Sequence, residues 1–346
     1  MTIDADAGNG GVARRSAVTL QDVADRAGVS RSAASFALTD RGRVSEATRK
    51  RVKDAAAELG YRPNRAARNL RTQRTGIIGL CLPKGSTIRE YYMALAFGAV
   101  DVARDEGLLV AIISEQYPAS TLLDFDGLLV LDPQQDDDMI RAAETMGIPV
   151  VTGERPLQDS AAVRGIVHGN HRETFPQLLD HLELQGSQVP ALIAPVGSTD
   201  WASSARAAYL EWCADRGLEP RAYETSFPGT AEEVQALAIE LVEDRSIDAI
   251  ISMTDGTVID VLTAALGAGR EPGRDLLIAS ASDASILQYT EPRITSLDLH
   301  PREFGASLVR LLHRVLLEKP EDVIVELSPV DLIVRASTAT PLPARQ

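Results

Sequence analysis

Val18-Thr19-Leu20-Gln21-Asp22-Val23-Ala24-Asp25-Arg26-Ala27-Gly28-Val29-Ser30-Arg31-Ser32-Ala33-Ala34-Ser35-Phe36-Ala37-Leu38 decides the first part of the fold. Thr19, with Asp22 three residues on, has the form of a capping box, in which a hydroxyl and a carboxylate satisfy free backbone N–H groups reciprocally. Leu20, Val23, Ala24 and Ala27 then fall at i, i+3, i+4 and i+7, the apolar face of a short helix. Gly28 supplies a left-handed stop. Val29 plugs the corner, and Ser30 caps a second helix over residues 31–38 with Ala34, Ala37 and Leu38 inside. Two short helices joined by a tight glycine turn form a helix-turn-helix. The small residues Ala24, Ala27 and Ala34 let the two helices cross closely.

A third helix starts at the cap Ser45. Its inner stripe is Val52, Ala55 or Ala56, and Leu59; Gly60 stops it, and Arg49, Lys50, Arg51 and Lys53 decorate its outside. A helix-turn-helix lays its second helix in the DNA major groove. The outward residues there are Arg31, Ser32, Ser35 and Phe36. Arg31 reads guanine or holds phosphate, and the serines are adaptable readers. Phe36 is either core or an apolar contact to a thymine methyl.

Charge supports this reading. The chain of 346 residues carries a net charge of −14, which taken alone argues against nucleic acid. Its distribution reverses the argument. Residues 1–75 hold 15 Lys and Arg against 8 Asp and Glu, a net of +7, whereas the remainder nets −21. A basic module on an acidic body orients the protein on a polyanion. Between them, Asn64 caps a short stretch reaching Leu70, and Arg65, Arg68, Arg71 and Arg74 recur every third residue. A helix this short is marginal alone in water, so it folds when something orders it. Ala66, Ala67 and Leu70 make its apolar face, and a leucine on a basic helix can wedge into a minor-groove step.

The rest alternates apolar runs with helical patterns. Ile77–Leu82, Leu109–Ile113, Leu128–Leu131, Val150–Thr152, Ala191–Ala194, Ala249–Ser252 and Leu276–Ala279 read as strands buried on both faces. Helical stretches lie between several of them, as at residues 93–106, 137–146, 202–216, 231–244, 258–266 and 303–317. Such repetition predicts α/β architecture with parallel sheets, and about 270 residues exceed one comfortable core, so two lobes are expected. Ligands of such folds sit at the carboxyl ends of the strands. Only residues 115–126, with Pro118 inside, connect two of the strands, so the crossover helix there is short or missing.

Val18-Thr19-Leu20-Gln21-Asp22-Val23-Ala24, Ala27-Gly28-Val29-Ser30, Val44-Ser45, Thr48-Arg49 and Leu59-Gly60-Tyr61-Arg62-Pro63-Asn64, continuing to Ala67 and Leu70, resemble the opening of the LacI/GalR repressor family. The resemblance implies DNA contacts from Thr19, Ser30, Arg31, Ser32, Ser35 and Phe36. In the hinge it implies contacts from Asn64, Arg65, Ala67 and Arg68, with Leu70 as the minor-groove wedge. It also implies a homodimer on a near-palindromic operator in double-stranded DNA, and a body like a periplasmic sugar-binding protein with crossover strands between its lobes. The family often has Thr-Val-Ser-Arg where this chain has Ala33-Ala34-Ser35-Phe36, so the operator sequence does not carry over.

For a sugar-like effector the matching positions are Arg206, Asp255, Ser282 and Asp283. Thr254 replaces the family's Asn before Asp255, Ser282 stands where an acid touches ligand, and Gly169-Asn170 replaces a common Asp-Asn. Turn capping explains Asp and Asn after strands equally well. Trp201 either stacks on a sugar face or is a partly exposed core residue.

The resulting boundaries are a disordered tail at 1–17, the helix-turn-helix at 18–60, a hinge at 61–75 and the body at 76–346. One lobe takes 76–167 and 301–320, the other 168–297 and 321–340. Cys81 and Cys213 read as buried reduced thiols of a cytosolic protein acting on the nucleoid. No span of about 18 apolar residues exists for a membrane. No metal or cofactor is expected. His168, His171, His181, His300 and His313 have no nucleophile or metal spacing, and no phosphate loop or nucleophile elbow is present, so no catalytic residue is assigned. The alternative is a DNA-binding head fused to an enzyme-like or ligand-indifferent body.

Overall fold

The computed structural model describes residues 18–38, 44–61, 74–83, 90–113, 119–196, 199–226, 231–254 and 256–339. The tail, the hinge residues Asn64, Arg65, Ala67, Arg68 and Leu70, and Asp255 therefore lie outside the described residues. The chain divides into two units, residues 1–74 and 75–346.

The first unit is a three-helix cluster: α1 (Leu20–Ala27), α2 (Arg31–Leu38) and α3 (Glu46–Leu59). The capping box is formed, with the Thr19 backbone N–H donating to Asp22 at 2.8 Å and the Asp22 N–H donating to the Thr19 hydroxyl at 3.3 Å. Ser30 accepts from the Ala33 N–H at 3.1 Å, and Ser45 caps α3. Gly28 and Gly60 end α1 and α3 at φ 62° and 64°, a conformation that a Cβ disfavours. The core is Val23, Ala24, Ala27, Ala34, Ala37, Val52, Ala55 and Ala56, all buried. Six of these eight are alanine, which is why so short a set of helices can close on itself.

The second unit holds two six-stranded sheets. The first is built from β1 (Ile77–Cys81), β2 (Leu109–Ile113), β3 (Gly127–Leu131), β4 (Val150–Gly153), β5 (Val163–His168) and β11 (Ile324–Leu327), in the order β11-β5-β4-β3-β1-β2. The second contains β6 (Pro190–Pro195), β7 (Arg221–Thr225), β8 (Ala249–Ser252), β9 (Leu277–Ser280), β10 (Thr295–Asp298) and β12 (Asp331–Ile333), in the order β12-β10-β9-β8-β6-β7. The first lobe's helices are α4 (Glu90–Asp105), α5 (Asp138–Met146) and α11 (Pro301–Glu318). Those of the second are α6 (His171–Thr174), α7 (Pro176–Leu184), α8 (Asp200–Asp215), α9 (Ala231–Glu243) and α10 (Val258–Gly267).

Two expectations need correction. Ile324–Leu327 joins the first sheet, parallel to β5, although 321–340 was assigned to the second lobe. Residues 328–330 are a third crossover, so the chain returns once more to β12. That strand runs antiparallel to β10, entering at the hinge where β10 leaves, in a sheet whose other pairs are parallel. And β2 is not buried on both faces. It is an edge strand, and Leu109 and Ile112 are about half exposed.

The short connection behaves as its length requires. A 3-10 turn at Ala119–Asp124 takes the place of a crossover α-helix, and Leu122 and Phe125 plug the sheet beneath it. On the other face, α4 and α11 approach so closely that a Cβ on Gly305 would lie 2.0 Å from the Leu95 carbonyl oxygen. One on Gly98 would lie 1.9 Å from that of Arg302. Asp126 fixes the entry into this unit by accepting from the backbone N–H groups of Thr75 at 2.6 Å and Gly76 at 2.8 Å. Among the described residues no helix is long and apolar enough to cross a membrane.

Candidate functional sites

The first unit presents the outer face of α2. Arg31, Ser32 and Phe36 are exposed and Ser35 is half-buried. Phe36, at 46% exposure, faces outward, which removes the core alternative. Thr19 and Ser30 spend their hydroxyls on the caps, so they stand beside this face with those oxygens already engaged. Lys50, Arg51 and Lys53 are exposed on α3.

In the second unit the carboxyl ends of β3, β4 and β5 gather polar groups, of which Asp132 and Glu154 were not singled out from the sequence. Asp132 follows β3, Glu154 follows β4 and Asn170 follows β5, each with positive φ, at 45°, 74° and 48°. Strained non-glycine backbone of this kind collects at functional sites. Tyr92, in the first turn of α4, donates to Asp132 at 2.8 Å. Glu154 meets the Nε2 of His171 at 2.9 Å, with both side chains more than nine-tenths buried, and accepts from the Gly169 N–H at 3.3 Å. Arg155 meets the His168 ring at 2.9 Å.

Electrostatics tie these groups to the opposite lobe. Burial, reinforced by Glu154, pushes the Asp132 carboxyl up to about 7. Burial pulls the His171 imidazole down, but the Glu154 carboxylate more than offsets this and leaves it above its ordinary value. Asp200, at the start of α8 in the second lobe, is raised by burial and then by Glu154. Three carboxyl groups from two lobes therefore share one field. Burial, then Arg155, lowers His168. Among the described residues no group of three or more His, Cys, Asp or Glu side chains is placed to hold a metal ion.

Of the residues named from sequence for the effector, Trp201, Arg206, Ser282 and Asp283 belong to the second lobe. Trp201, partly buried against that lobe's core, shares the first turn of α8 with Asp200. Arg206 lies farther along the helix. Its Nη2 is 3.3 Å from Glu224, and its Nε is buried without a hydrogen-bond partner. Ser282, past the end of β9, is 4% exposed and its Oγ is also unpartnered. Asp283 is engaged otherwise, by Arg335 at 2.7 Å and the Ser296 hydroxyl at 2.6 Å. The signal for Asp132 and Glu154 was present in the sequence, since each is the first charged residue past a buried apolar run.

A basic helix-turn-helix joined to two strand-end clusters on facing α/β lobes defines a transcriptional regulator with a periplasmic-binding-protein-like body. Residues 19–64 match the family model of the lacI family of bacterial regulatory proteins, and residues 179–338 match that of the periplasmic binding protein-like domain. The HTH-type transcriptional regulator CelR of Thermobifida fusca is 28% identical over 346 residues, covering 94% of this chain and 99% of that protein. Two solved structures share the fold. The CelR–cellobiose complex has a TM-score of 0.70 at 24% identity, covering 92% of this chain and 99% of its own. The lac repressor dimer bound to operator and the anti-inducer ONPF has a TM-score of 0.76 at 21% identity, covering 93% and 99%.

Proposed function

We propose that this protein is a homodimeric repressor that binds a near-palindromic operator through the outer face of α2 and the hinge around Leu70, and releases or grips it according to a sugar-like effector held between the lobes. The observation that carries the reading is the union in one chain of a basic helix-turn-helix with opposed strand ends rich in hydrogen-bonding groups. Arg31 and Phe36 are the outward readers. Asp132, Glu154 and Asp200 supply acceptors for hydroxyls. Arg206 and Ser282 supply buried polar atoms that lack partners, and such atoms are costly unless something satisfies them. Trp201 offers an aromatic face. The cellobiose of the CelR complex is a ligand of this chemistry.

Phe97 and Val100 on α4, with Leu109 and Ile112 on the neighbouring edge strand β2, are exposed apolar residues suited to pairing two copies. The protein acts in the cytoplasm, on the nucleoid, and turns nothing over. Selection from a random duplex pool by the full chain tests the first half. It returns a two-fold-related sequence whose affinity falls steeply with salt, because several phosphates are neutralised; recovery of no preferred sequence overturns it. A thermal-shift screen of sugars and nucleosides tests the second half, since a specific ligand stabilises the folded state.

A further inference from the structure

The first turn of α4 reaches across to the second lobe. Glu90, its first residue, accepts from the Ser285 backbone N–H at 3.1 Å and 3.2 Å and from the Ser285 hydroxyl at 3.0 Å. Ser285 opens the 3-10 turn Ser285–Gln288, whose Leu287 is buried in the second lobe's core. The next residue, Tyr91, packs against the cores of both lobes. Tyr92 then binds Asp132 on the cleft floor. Three consecutive residues thus touch the far lobe, both lobes and the near lobe.

We propose that Glu90 and Ser285 form a clasp that holds the two lobes together at the cleft and sets how readily the cleft opens. A carboxylate at the free N–H of a helical turn makes charge-assisted bonds stronger than neutral ones. The two groups are 195 residues apart in sequence, so the contact exists only when the lobes are in this arrangement. The Ser285 loop also carries Ser282 and Asp283. Opening the clasp therefore releases the 3-10 turn that follows Ser282, while the Ser280 hydroxyl keeps Ser282 and Arg335 keeps Asp283 anchored to their own lobe. At its other end the clasp is rigidly backed. Gly98 and Gly305 lock α4 to α11, and α11 begins at the 298–301 crossover between the lobes. Motion at the clasp is thereby delivered to the α4 face bearing Phe97 and Val100. The regulatory meaning rests on the effector reading above; the existence of the clasp does not.

Amide hydrogen exchange of the full chain, without any ligand, tests it in the parent, Glu90→Ala and Glu90→Gln. Glu90→Ala speeds exchange on the order of tenfold at Ser285. It does so equally at Gly169, whose N–H is bonded to Glu154 on the cleft floor and has no contact with Glu90. Glu90→Gln, which keeps one acceptor oxygen, falls between. Ile294, whose N–H is bonded to the Leu287 carbonyl inside the second lobe, stays protected and shows that the fold is intact. Faster exchange at Ser285 alone, with Gly169 unchanged, overturns the clasp. A chain that passes this test but binds no sugar leaves the clasp standing and removes the sugar reading.

Discussion

Asp132→Asn isolates the field in the cleft. The Asp132 carboxyl sits near pH 7 in the folded protein, pushed there by burial and by Glu154, against an ordinary value of 3.8. Below about pH 4 it is protonated whether or not the chain is folded. As the pH rises towards 7 the unfolded chain releases this proton while the folded chain retains it. Asp132 therefore subtracts stability progressively across that window and nothing further above it. A gap of about three pH units corresponds to about 4 kcal/mol as a ceiling, since one unit is about 1.4 kcal/mol. Asparagine keeps an oxygen to accept from Tyr92 but has no charge to bury. The variant minus the parent should therefore gain roughly 2–4 kcal/mol between pH 4 and 8. Urea unfolding followed by tryptophan fluorescence reads this unit alone, because both tryptophans, Trp201 and Trp212, lie in α8. Taking the difference cancels the titrating groups that lie outside this shared field. A difference that is the same at pH 5 and pH 8, or a variant less stable than the parent at pH 8, refutes the reasoning.

Arg206→Ala removes a rigid fork of donors from the cleft and should weaken effector binding roughly tenfold to a hundredfold, with operator affinity in its absence unchanged; titration calorimetry and a DNA shift assay check the two halves. Gly305→Ala must push α4 and α11 apart, because its methyl would meet the Leu95 carbonyl at 2.0 Å. It should cost about 3 kcal/mol by denaturant unfolding, whereas a neutral result would mean that the helices are not so closely docked. Leu70→Ala should leave thermal unfolding of the body untouched while reducing operator bending and specific affinity; equal bending by variant and parent rules out the wedge.

The helix-turn-helix was legible almost residue by residue, because caps and glycine stops act locally. Thr19 with Asp22, Ser30, Ser45, Gly28 and Gly60 each needed only a few neighbours to declare their roles. The strands of the two lobes were legible where they were apolar throughout, as at Ala249–Ser252. Those that carry polar residues for the hinge or an edge were not. β11 alternates half-buried and exposed residues, and β12 has only three residues, so neither has a burial pattern that a window can detect. In the second lobe, resemblance pointed to Arg206 and Ser282, and the structure shows that each holds a buried polar atom without a hydrogen-bond partner. Asp132 and Glu154 of the first lobe were not singled out, because only the pairing of β3 with β4 brings the two together. Glu90 and Ser285 gave no local sign of each other, since their meeting depends on how the two lobes close.

The central claim is that one chain couples effector binding to operator binding. Thermodynamic linkage makes that coupling reciprocal: whatever factor the effector applies to operator affinity, the operator must apply to effector affinity. The direct measurement is effector affinity of the intact dimer, free and saturated with the selected operator, at one salt concentration. A difference of about 5- to 150-fold between the two, matched by the shift in operator affinity, is what this account predicts. Identical effector affinities with and without operator would contradict it.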